Sequence, residues 1–213
     1  MDNPTRRNFI KVTSAAAAAA AVTSAANAYP RQRSEDEKRA RLASNCYACR
    51  EVFSRDCFNP EAPPSAKAKQ VQKQYGSITL LDFPQFTKDN FPGIYSIDLL
   101  AGLFGDINDL SMFKKHTTWW AEQPTETLAF DPSTPSSRKW LDELVDQFVK
   151  TGVSGYHISN DIPQHIADLD DEKRKAGIAD AKVWLEAASG IGAKAMRINT
   201  AGPHIAPQPE AST

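Results

Sequence analysis

The sequence lacks an apolar run of the length that a membrane crossing needs. Its longest weakly apolar stretch, Ala15 to Val22, is mostly alanine and is soon broken by Thr23, Ser24 and Asn27, short of the ~20 residues that span a bilayer core. An excess of one charge is missing too, since 25 Lys and Arg stand against 26 Asp and Glu. No basic stripe is available to follow a phosphate backbone, which argues against nucleic acid as a main partner. Cysteine is scarce, with three residues in 213, and an odd number leaves at least one thiol unpaired within the chain. No Gly-rich phosphate cradle, nucleophile elbow or H-E-x-x-H pattern occurs, and no repeat of fixed period is visible. What remains is 41% hydrophobic, a globular composition rather than a disordered one.

The strongest short motif is at the start. Thr5-Arg6-Arg7-Asn8-Phe9-Ile10-Lys11 has the paired arginines, the following aromatic and aliphatic residues and the trailing lysine of a twin-arginine signal, the address read by the Tat translocase. Ala26-Asn27-Ala28 is a small-x-small pattern that suits signal peptidase, so cleavage is expected after Ala28. Four segments follow from this: a signal peptide over 1–28, a charged linker over 29–40, one domain over 41–207 and a tail over 208–213. Removing 28 of 213 residues leaves 185, with 22 basic and 25 acidic side chains and a net charge of −3. That length suits one domain with a sizeable core. The expected location is periplasmic or secreted.

Along the expected domain, strands and helices alternate. Arg41 to Cys49 mixes small or apolar with polar residues and reads as a first strand, and Pro60 to Lys69 as a loop. Thr79 to Phe91 reads as a helix with two possible starts, Thr79 with Asp82 or Asp82 with Gln85; the second leaves Pro84 in the first turn. Gly93 supplies the stop, and Ile94 to Leu100 is a short buried strand. Ala101 to Thr134 reads as irregular and aromatic, its rings closing one end of the fold or a subunit contact. Arg138 to Thr151 carries the stripe Trp140, Leu141, Leu144, Val145 and Phe148 and closes at Gly152. Ser154 to Ser159 reads as a strand, Asp168 to Glu172 as an acidic first turn, and Lys175 to Gly190 as a helix ended by Gly192. Ala193 to Asn199 is a further strand. Such an order means parallel strands joined by crossovers. Cys46-Tyr47-Ala48-Cys49 has the spacing of a redox or metal motif, but on a strand over 41–49 the two cysteines point to opposite faces and cannot chelate together, so both are expected to be structural.

Four segments resemble the sugar phosphate isomerase/epimerase family: RLASNCYACR (41–50), LLDFPQFTKDNFPG (80–93), GYHISND (155–161) and AKVWLEAASGIGAKAMRINTAGP (181–203). The resemblance implies an α/β fold, a xylose isomerase-like TIM barrel, and aldose-ketose isomerisation or epimerisation of a sugar or polyol with a divalent metal. Only the first half of the family's pattern is matched, with about four parallel strands and three helices, whereas a whole barrel needs ~250 residues. The family's metal ligands come from later strands, so no ligand is assigned here. The expected state is an incomplete barrel, inactive alone or closed by self-association through its open edges.

Chemistry in such barrels lies at the carboxyl ends of the strands. That rule nominates Asn45, Asp98, His157, Asn160, Arg197 and Asn199 as substrate-binding residues that orient hydroxyls, with no catalytic residue assigned. Arg197 is expected to pair with a carboxylate such as Asp98, and His157 has the alternative of a backbone-bonded core histidine. His116 and His165 show no recognisable ligand spacing, and His204, in a Pro-flanked loop, reads as an exposed loop residue, with a ligand contact as the alternative. Two rival readings are a non-catalytic exported carbohydrate-binding protein, stacking sugars on aromatics from Phe104 to Trp120, and a truncated gene product without function.

Overall fold

The computed structural model describes residues 33–118 and 125–199. Arg6, Arg7, Phe9, Ala26, Ala28, Trp119, Trp120 and His204 lie outside the described residues. The chain divides into two units, residues 1–38 and 39–213. In the expected linker, Ser34 Oγ accepts from the Glu37 N–H at 3.1 Å, and Glu37 Oε2 accepts from the Ser34 N–H at 2.9 Å. This reciprocal cap starts a one-turn helix, Glu35–Arg39, that buries no residue.

The second unit contains, in chain order, β1 (Ser44–Asn45), α1 (Ala66–Tyr75), α2 (Phe83–Asn90), β2 (Ser96–Leu100), β3 (Phe113–Thr118), β4 (Thr125–Phe130), α3 (Pro135–Thr151), β5 (Ser154–Asn160), α4 (Asp171–Gly190) and β6 (Ala195–Ile198). Four strands form a parallel sheet in the order β1-β2-β5-β6, and β3 pairs with β4 in an antiparallel hairpin. The architecture is α/β, as expected.

Local chemistry sets the helix ends. Thr134 Oγ1 accepts from the Ser137 N–H at 3.1 Å, Pro135 opens the first turn of α3, and Gly152 closes it at φ 73°. Asp170 accepts from the N–H groups of Glu172 and Lys173 at the start of α4, with Asp171 and Glu172 in the favourable first turn. In α2, Pro84 lies in the first turn, but Asp82 does not cap the helix. Its carboxylate turns back to accept from Thr79 N–H and Oγ1.

Three expectations are corrected. The first strand shrinks to two residues because Asn45 bonds locally: its Oδ1 accepts from the Ala48 N–H at 3.0 Å and its backbone carbonyl from the Cys49 N–H at 3.3 Å. That turns the chain out of the ladder, so Cys46 to Cys49 form a turn before a 3-10 helix over Arg50–Val52. The loop over Pro60 to Lys69 ends at Ser65, which caps α1 by accepting from the Ala68 N–H. The run Ala-Lys-Ala-Lys-Gln after Ser65 consists of strong helix formers. The irregular region contains the hairpin, with Phe113 opposite Phe130 and His116 opposite Thr127.

The aromatics of that region fold inward. Phe104, 0% exposed, has ring centroids 5.7, 5.6 and 5.5 Å from Phe130, Trp140 and Trp184, which ties the segment after β2 and the hairpin to α3 and α4. Arg55 braces the same segment, with Nη2 donating to the carbonyls of Gly102 and Phe104 and its guanidinium over the Phe113 ring. Burial lowers its pKa to about 10.

One face of the parallel sheet packs on helices. Ser44 Oγ meets Thr87 Oγ1 of α2 at 2.8 Å, and a Cβ at Gly155 would stand 2.9 Å from the Phe148 ring of α3. The opposite face carries Asn45, Asp98, His157, Ser159 and Arg197, as their register and mutual bonds require. At these five positions the open face is polar, while Leu100, level with Ser159, is buried.

Candidate functional site

A shift in register aligns the central pair. Ile97 lies opposite Gly155, but Asp98 lies opposite His157, so Tyr156 is an extra residue in β5. This bulge brings His157 level with Asp98 on the open face. His157 Nδ1–H donates to Asp98 Oδ1 at 2.7 Å, Ser159 Oγ donates to the same oxygen at 3.2 Å, and Asn45 Nδ2 donates to Oδ2 at 2.6 Å. Asp98 thus draws together side chains from three adjacent strands. Its hold on Nδ1 fixes the imidazole tautomer and leaves Nε2 as the nitrogen able to accept a proton. The two side chains are 22% and 30% exposed, open enough to meet a small molecule.

A second carboxylate extends the row past β5. Asp161 Oδ1 accepts from Arg197 Nη2 at 3.1 Å and from Asn199 Nδ2 at 2.5 Å. Arg197 therefore pairs with Asp161 instead of Asp98, because Ser159 is its register partner and Asp161 lies two residues further along. Together, seven polar side chains line the carboxyl ends of the four parallel strands, where open α/β sheets bind ligands.

Five of the six nominated residues fall in these two clusters. Asn160 does not: it is fully buried, its Oδ1 accepts from the Ile162 N–H at 3.0 Å and its Nδ2 lies 3.6 Å from Met196 Sδ. Its side chain holds the turn after β5. Ser159 and Asp161 were not nominated, although strand parity carries the signal: Ser159 is two residues from His157, and Asp161 two further on. His116 and His165 bond to Gln164 and Asp168 and take no part in the hydrogen bonds of either cluster.

The residues do not fit a divalent metal. Asp98 is wrapped by an amide, an imidazole N–H and a hydroxyl, and Asp161 by a guanidinium and an amide. No group of three or more His, Cys, Asp or Glu able to hold an ion exists among the described residues. A cleft of about 530 Å³ lies elsewhere, beside the first turns of α3, lined by Arg55, Leu80, Asp106, Lys139, Trp140 and Glu143.

The twin-arginine translocation (TAT) pathway signal sequence family matches residues 3–23. No curated protein matches the chain. The chain is thus an exported α/β protein. It engages the Tat translocase and is delivered to the periplasm or secreted. No helix among the described residues is long and apolar enough to cross a membrane.

Proposed function

We propose that the row from Asn45 to Asn199 is a binding site for a sugar or polyol, of the kind found in sugar isomerases and epimerases with a xylose isomerase-like barrel. The observation that carries this reading is the convergence of seven polar side chains, from the ends of four adjacent parallel strands, on one open face. A polyol presents hydroxyls that both donate and accept. The Asp98 and Asp161 carboxylates accept from them, while the Arg197 guanidinium and the Asn45 and Asn199 amides donate. His157, oriented by Asp98, is placed to take or return a proton at a substrate hydroxyl. The resemblance of residues 41–207 to the isomerase/epimerase family supports the same substrate class, and neither described cluster provides for the metal that the resemblance implies.

The rival reading, a carbohydrate-binding protein that stacks sugars on aromatics from Phe104 to Trp120, loses Phe104 to the core, while Trp119 and Trp120 lie outside the described residues. Calorimetric titration of the exported protein with aldoses, ketoses and polyols, with and without added divalent ions, tests the proposal. Binding is expected to weaken at least about tenfold in Asp98→Asn and in Arg197→Ala, the loss of roughly 1.4 kcal/mol that a charge-assisted hydrogen bond carries. Binding that survives both substitutions would move the ligand away from these strand ends.

A further inference from the structure

The corrected conformation of residues 41–49 changes what the two cysteines there can do. On a strand they would diverge. In the structure the Cys49 N–H bonds to the Asn45 carbonyl at 3.3 Å, the Arg50 N–H to Tyr47 at 3.2 Å and the Val52 N–H to Cys49 at 3.0 Å, a run of helical turns. Residues three apart on such a turn share a side, with Cβ atoms roughly 5–6 Å apart. A disulfide needs about 3.5–4.5 Å, so tightening one turn closes the gap.

We propose that Cys46 and Cys49 form a disulfide after the chain leaves the cytoplasm, clasping the turn that holds Asn45 against Asp98. Both thiols are unbridged in the structure, Cys46 wholly buried and Cys49 half-buried. Burial pushes the Cys46 thiol well above its ordinary range. Burial, with Asp56 and Glu51 near it, pushes the Cys57 thiol up to about 12. The export route supplies the change of conditions. Thiols stay reduced in the cytoplasm, where a Tat substrate folds, and meet oxidising conditions outside.

The oxidant is a protein disulfide of the receiving compartment. Cys49, the more accessible thiol, gives up its proton and attacks one sulfur of that disulfide. The resulting mixed disulfide releases the oxidant's other sulfur as a thiolate. Cys46 then gives up its proton and attacks the Cys49 sulfur, which forms the Cys46–Cys49 bond and frees the oxidant's remaining sulfur. The chain loses two protons and two electrons, and the oxidant takes them up and leaves as a dithiol. The raised thiol pKa values keep both steps slow until the turn loosens.

The clasp is independent of what the Asp98 site binds, and its test reads thiols alone. The full chain is recovered from the export compartment and, in an Arg6→Lys/Arg7→Lys variant, from the cytoplasm; each sample is denatured, alkylated and mapped by peptide mass. All three cysteines are expected to be alkylated in the retained form. In the exported form only Cys57 is expected to react, with the Cys46–Cys49 peptide lighter by two hydrogens until reduced. Purified retained protein treated with oxidised glutathione should give the same bond. Alkylation of Cys46 and Cys49 in the exported form, stable glutathione adducts on Cys49, or a bond that includes Cys57 would each overturn the proposal. In Cys49→Ser both remaining thiols should react, and a bond between them would overturn it as well.

Discussion

One buried and one half-buried side chain decide how firmly the site and its surroundings are held. Asn160 supplies the acceptor for the Ile162 N–H where β5 ends. Asn160→Ala leaves that buried donor unpaired, and a loss of about 1–3 kcal/mol is expected in denaturant unfolding. His116, on the hairpin, is held below its ordinary pKa of 6.5 chiefly by burial, with Lys114 adding to the effect and Asp180 opposing it. Its Nε2 accepts from Gln164 Nε2 at 3.0 Å, so the neutral ring is the one that fits. The unfolded chain binds the proton more readily. The stabilising contribution is therefore full above about pH 6.5 and is lost as pH falls through the lowered folded value. Melting temperature followed from about pH 7.5 to about pH 5 should fall more steeply in the native protein than in His116→Gln. The strand-end rule nominates Asp98, His157 and Arg197. It passes over Ser159 and Asp161 because they follow from the two-residue spacing along the face of β5 that starts at His157, a signal the rule does not use.

At the scale of elements, α3, β5, α4 and β6 are legible in the sequence because apolar stripes and terminal signals agree. Thr134, Gly152 and Asp170 mark the helix ends chemically. The hairpin is not legible: Lys114, Lys115 and Thr125, Glu126 show no apolar alternation, and tertiary burial of Phe130 and Thr127 fixes the pairing. The first strand misleads for the opposite reason, since a strand-like composition yields to the local bonds of Asn45. The contact between α4 and the segment before it depends on Gly177. A Cβ there would stand 2.0 Å from the Gln164 carbonyl oxygen and 3.0 Å from the His165 carbonyl carbon. Gly177→Ala must push that segment off the helix, and an overpacking loss of about 1–3 kcal/mol is expected from chemical denaturation. Gly190→Ala, with nothing within 4 Å of the new methyl, serves as the matched control.

For the whole molecule, the leader determines where the fold acts. Replacing Arg6 and Arg7 with lysine is expected to leave uncleaved precursor in the cytoplasm, read by fractionation and immunoblot, with the fold of residues 39–199 unchanged by circular dichroism. The open sheet face bears on self-association: the polar side chains at its strand ends bond to one another, so they supply little hydrophobic drive for a second copy.

The extra residue in β5 has a consequence best counted in codons. Tyr156 is the one position at which β5 outruns its partner strand, so an in-frame loss of codon 156 leaves Gly155, His157, Ile158 and Ser159 on their present sides. Loss of codon 158 makes His157 and Ser159 consecutive and sends them to opposite sides. Length variation along this strand is thus silent at one codon and disabling two codons later.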